Sequence, residues 1–168
     1  ITSLTVSSGE ENIIFYESED NNLVIKEYMT ENKNSYYAKV IEKNNSIQIS
    51  EGDKPFLNGN FTRYMEVYLP ADYNQSLTVT STSGNIDFSN IDFSNIDLNL
   101  TLLRVDNTSG TITIANAVAS DIHLSSTSGR LDLGSIQANQ IRLNTTSGTV
   151  HCTELNGDVT YTSTSGNI

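Results

Sequence analysis

Few residues in this chain of 168 could do chemistry, because it holds two histidines, one cysteine and nine lysines and arginines together. Hydroxyls abound, but a serine nucleophile needs a base, and only His123 and His151 could act as one. Asp121, His123 and Ser125 alternate along a single run, so they point side by side and leave no acid behind the imidazole. His151 and Cys152 are adjacent and are expected on opposite faces, which disfavours joint metal ligation. Cys152 falls in a slot held elsewhere by Phe88, Ile114 and Leu133 and reads as a small buried hydrophobe. Asp87 and Asp132 are the best carboxylate pair for sugar chemistry. Thr113 takes the equivalent place between them, so they are expected about 10 Å apart, at or beyond the range of an inverting pair. Asp87, Asp92 and Asp97 recur every fifth position and could offer oxygen ligands to Ca2+, but exposed carboxylates between inward Ile and Phe give the same pattern. The expectation is no enzyme, no metal and no cofactor.

One set of residues is less ordinary. Arg104, His123 and Arg142 stand at equivalent places in three successive units, flanked by Asp106, Ser125 and Asn144. If the units stack, the three form a basic column beside a hydroxyl and amide strip, a candidate polar binding surface for an anionic polymer. Asp106 and Asp121 offer a competing role as local counter-charges.

The elements that position this column come from an internal repeat. The motif x-Thr-Ser-Gly ends at Gly84, Gly110, Gly129, Gly148 and Gly166, at spacings of 26, 19, 19 and 18 residues. Seven and five residues before each glycine come apolar pairs such as Leu103 and Val105 or Ile122 and Leu124. Two and four residues after it come pairs such as Ile112 and Ile114 or Leu131 and Leu133. Period-two spacing on both sides of a turn signals two short strands per unit, each with one buried face. The glycine supplies either a positive φ or room for close approach. Because the same turn recurs in register, the reading is a stacked β-solenoid, β-helix-like, of about five coils of 18–19 residues. The longer first spacing holds the five-residue duplication of 86–98, an enlarged corner.

Residues 1–75 carry short β-rich runs between polar turns, and most of the eight tyrosines. Tyr64, Glu66 and Tyr68 alternate with Met65, Val67 and Leu69, which predicts a strand with one apolar and one polar-aromatic face. This region is expected to be a small β-sheet capping the first coil of a solenoid over 76–168, with one core running through the join. The chain reads as an excerpt, its last repeat unfinished, so any leader or membrane anchor would lie outside it.

Composition narrows the function. A net charge of -11 argues against sequence-independent nucleic-acid binding, which relies on basic contacts to phosphate. No apolar run approaches the ~18 residues of a membrane helix, and one cysteine excludes an internal disulfide framework. The order of parts, with Glu66-Val67-Tyr68-Leu69-Pro70, a spacer, Leu77-Thr78-Val79 and then the Ser-Gly turns, resembles the bacterial putative-adhesin family of envelope-associated domains of unknown function. That resemblance implies an all-β, β-helix-like fold at the cell surface or envelope, and it carries over no catalytic residue. The expected function is a non-enzymatic, extracytoplasmic binding or scaffold module whose partner is an envelope polysaccharide or another surface protein. A second reading is a sensory ectodomain that meets cationic envelope-stress agents. A carbohydrate-active β-helix enzyme comes third.

Overall fold

The computed structural model describes residues 1–57, 59–95 and 99–168. Among them the one helical element is a 3-10 turn at Asn34–Tyr36, and the protein is all-β. Its strands are built into parallel rungs. β1 (Ser3–Ser8) and β2 (Asn12–Glu17) flank one corner, and β7 (Ser76–Ser81) and β8 (Ile86–Asn90) flank the corner above it. One wall stacks β5 (Ser46–Ser50), β1, β7 and β10 (Leu100–Asn107), and passes into the second half of β11 (Thr111–Ser126). The other stacks β6 (Arg63–Leu69), β2, β8 and the first half of β11. β12 (Arg130–Thr145) and β13 (Thr149–Ser163) continue both walls at once. At the opposite end two antiparallel strands, β4 (Lys39–Lys43) on β5 and β3 (Val24–Met29) on β6, finish the walls. The architecture is solenoid-like.

The long strands are not straight. In β11 the inward residues run Ile112, Ile114, then Ala117, Ala119, then Ile122, Leu124, so the period of two slips twice. Each slip sends two successive residues outward and turns the chain. A third short run therefore closes each coil between the two walls, and β9 (Asp92–Phe93) pairs with it at Asn116 and Ala117. The flank pattern around the glycines does not announce this run, because its inward residues are as small as Ala117, Ala119 and Ala138.

Every wall turns its apolar side inward, and one cluster runs from Leu4 to Val150. Near its middle Phe15 stacks on Phe88 at 4.4 Å between centroids, with Phe93 at 5.6 Å from Phe88. Complete burial of each such side chain contributes about 1.5–3 kcal/mol. Cys152 faces this core as expected, but it is half-buried, because among the described residues β13 has a full strand, β12, on one side, while its other side meets Asn167 in an isolated bridge at Thr149.

Candidate functional site

The repeat's corner explains its own sequence. The residue three before each glycine turns inward: Ser81, Asn107, Ser126 and Thr145 are all buried. A buried hydroxyl or amide needs partners, and the backbone of the turn supplies them. Ser81 Oγ donates to the Gly84 carbonyl at 3.0 Å, Asn107 Nδ2 to the same oxygen at 3.1 Å, and the Gly129 N–H to Ser126 Oγ at 2.9 Å. The exposed Thr and Ser of each turn link to the turn below, as in Ser128 N to Thr108 O and Ser147 N to Thr127 O, both 2.8 Å. The glycines stack so closely that a Cβ on Gly110, Gly129, Gly148 or Gly166 would run into the carbonyl oxygen of the glycine beneath it. Close approach is thus their reason, since among the described glycines only Gly157 has a positive φ, 144°.

The stack of turn glycines rests on a different residue. A Cβ on Gly84 would meet the carbonyl of Glu11, so Glu11 holds the place that glycine holds above it. Its carboxylate is buried against the guanidinium of Arg63, which begins β6, with side-chain exposures of 4% and 0%. Arg63 Nε donates to Glu11 Oε1 at 2.5 Å, and the other nitrogens reach the carbonyls of Tyr36, Asp53 and Gly52. One guanidinium therefore ties three separate turns and loops to the start of β6. Burial pushes the Glu11 carboxyl up from its ordinary value, and the Arg63 hydrogen bond and charge offset only part of that.

The register places Arg104 opposite His123 and His123 opposite Arg142, on three neighbouring parallel strands. They line a shallow depression of about 210 Å³ with Asp106, Ser125 and Asn144. Arg104 Nε bonds to Asp106 Oδ2 at 2.7 Å, the Ser125 hydroxyl bonds to Asp106, and Arg142 bonds to Gln140 Oε1 at 3.1 Å. The Arg104–Asp106 pair is half-exposed, so it contributes little to stability. His123 has no hydrogen bond or ion pair among the described residues, and both arginines keep donors in solvent.

The other candidates are dispersed. Asp87 and Asp132 lie on strands either side of Thr113, and His151 lies next to Asp132 in register. Asp87 accepts from the Ser89 N–H at 2.8 Å and Asp92 from the Ser94 N–H at 2.9 Å, each closing its own turn. Asp97 lies outside the described residues. Among the described residues no group of three histidines, cysteines or carboxylates could hold a metal ion. Ser125 Oγ donates its hydrogen bond to Asp106 Oδ1 rather than to His123.

A further group of outward residues lies on the second wall. The polar-aromatic face expected for 64–69 is there, and it is joined by tyrosines from two neighbouring strands. Tyr16 stacks on Tyr68 at 5.0 Å and Tyr28 on Tyr64 at 4.8 Å. Lys26 Nζ sits 4.4 Å over the Tyr68 ring, while the Tyr68 hydroxyl donates to Glu66 Oε2 at 2.8 Å. That hydrogen bond, with burial adding to it, pushes the Tyr68 phenol up to about 12. The Tyr16 phenol is raised as well, by burial and then by the charges of Glu66 and Asp87. The alternation within β6 was visible in sequence. The pairing of its tyrosines with Tyr28 and Tyr16, tens of positions away, was not.

Stacked parallel rungs around one core, with a polar ladder at each corner, define an all-β, solenoid-like domain. The chain matches the family model Toastrack DUF4097 over residues 1–168, and it belongs to that family. Its fold is similar to the crystal structure of a putative cell adhesion protein from Clostridium sporogenes, at 12% identity and a TM-score of 0.56, over 99% of this chain and 92% of that one. It is also similar to a putative adhesin from Bacteroides fragilis, at 14% identity and a TM-score of 0.55, over 98% and 91% of the two chains. No curated protein matches the chain. Among the described residues no helix is long and apolar enough to cross a membrane.

Proposed function

We propose that this domain is a non-enzymatic binding or scaffold module of a bacterial cell-envelope protein, acting outside the cytoplasm. The observation that carries the reading is the basic column. Arg104, His123 and Arg142 lie side by side on strands about 4.8 Å apart, on a rigid wall, beside hydroxyl and amide groups that can bond to sugar oxygens. A repeating anionic polymer, such as an acidic envelope polysaccharide, offers charges along a line and matches such a surface. The likeness of the fold to proteins described as adhesins supports the same reading.

The test is co-sedimentation of the purified domain with isolated bacterial cell walls at low and at physiological salt. Retention at both salts is expected, with several-fold loss in the Arg104→Ala, Arg142→Ala double variant. No retention at either salt, or equal retention of the double variant, overturns the reading.

A further inference from the structure

The outward face of β3, β6 and β2 is unlike the rest of the surface. Elsewhere outward positions are mostly Thr, Ser, Asn and Asp, but here four tyrosines stand in two stacked pairs on adjacent strands. Tyr28 and Tyr64 remain 45% and 38% exposed. Because β3 pairs only with β6 among the described residues, the side of Tyr28 away from Tyr64 has no further strand beside it.

The surroundings of these rings are acidic. Glu66 and Asp87 are close enough to Tyr16 to oppose its ionisation, and Glu66 accepts the hydrogen bond that the Tyr68 hydroxyl donates. An electron-rich ring face beside carboxylates favours a cation. The protein itself already shows this preference. Lys26 is opposite Glu66 in the antiparallel register, yet the two make no ion pair within 4 Å, and the ammonium rests over the Tyr68 ring instead. The chain's net charge of -11 adds a long-range pull of the same sign.

We propose that the Tyr16, Tyr28, Tyr64 and Tyr68 cluster, with Glu66 and Asp87, is a binding site for a quaternary ammonium headgroup, and that Lys26 is its built-in competitor. Three methyl groups around a diffuse positive charge fit tyrosine faces better than a hydrated metal ion does, and the carboxylates supply charge complementarity. This site lies on the other wall from the basic column and takes a ligand of opposite charge, so it stands or falls apart from that reading.

The chain has no tryptophan, so its emission reports tyrosine directly. The experiment titrates the domain with choline chloride against sodium chloride of equal ionic strength, with maltotetraose as a neutral glycan. Choline is expected to give a saturable change in emission that neither control gives. Lys26→Ala vacates the Tyr68 ring and is expected to tighten choline binding by about two- to five-fold, the size of one exposed cation–π contact. Such a gain cannot come from misfolding. Tyr28→Ala with Tyr64→Ala, checked for an unchanged melting curve, is expected to abolish the response. Flotation with phosphatidylcholine vesicles tells a lipid-borne headgroup from a soluble one, and either source carries the proposal if the double variant abolishes it. Equal responses to choline and sodium, a response to maltotetraose alone, or unchanged binding in the double variant overturns it.

Discussion

Replacing Arg63 by Met keeps an unbranched side chain in the pocket but strips Glu11 of its only ion-pair partner among the described residues. Both partners are more than nine-tenths buried, so solvent cannot replace the lost charge. Breaking a buried pair from one side costs about 3–5 kcal/mol, because an uncompensated carboxylate remains. The carbonyls of Gly52, Tyr36 and Asp53 lose a donor at the same time. Arg63→Met is therefore expected to lose a fifth or more of a total stability of about 5–15 kcal/mol. The sign of the pH dependence follows from Glu11. Its folded pKa is already raised above 4.5 and rises further once the cation is gone, so the folded state takes up a proton more readily than the unfolded one. The variant's deficit should thus shrink as the pH falls from neutral through that raised pKa towards 4.5. Asp20, held low by its hydrogen bonds from Asn22 and Ser18, acts the opposite way but equally in both proteins and cancels; Asp53, held low chiefly by Lys39 and only slightly by Arg63, titrates below 3.8 and so stays ionised across the pH 5–7 window. Urea unfolding of wild type and variant at pH 7 and pH 5 measures it. Glu11→Gln with Arg63→Met removes the stranded charge and is expected to recover to about 1–3 kcal/mol below wild type, the cost of the unmet carbonyls. A deficit that is the same at both pH values, or a double variant as unstable as the single one, refutes the reasoning.

Other tests address the corner and the tyrosines. Gly129→Ala forces a Cβ against the Gly110 carbonyl and is expected to cost about 1–3 kcal/mol, read as a lower thermal midpoint; the same change at the open Gly59 should be nearly neutral. Glu66→Gln removes the acceptor charge from the Tyr68 hydroxyl, so that phenol should titrate nearer 10 than 12 by tyrosinate absorbance, and an unchanged titration curve would contradict the assignment.

Local periodicity told a good part of this in sequence. The period-two pairs around each Thr-Ser-Gly place Ile112, Ile122, Leu131 and Leu143 in the core, and the equal spacings put Arg104, His123 and Arg142 in one row. Those signals are short-range and repeated, so one chain suffices to read them. The rung formed by β1 and β2 was hidden, because Glu11 occupies the glycine slot and disguises the motif. Its partner Arg63 lies 52 positions away, and no local pattern joins them. The antiparallel pairing of β3 with β6 was likewise invisible, and with it the gathering of Tyr28 onto Tyr64. What escapes the sequence is what tertiary pairing creates.

The parallel rungs have a mechanical meaning. Their backbone hydrogen bonds point along the stack, so a pull on that axis acts on them in line and opens the domain like a zipper, one coil at a time. A released coil of 19 residues spans roughly 65 Å when extended, against about 4.8 Å while folded. Placed between a surface and a bound partner, such a stack would be an extensible tether that yields in instalments, with the corner ladder of Ser81, Asn107, Ser126 and Thr145 adding to the bonds that each coil must break before it lets go.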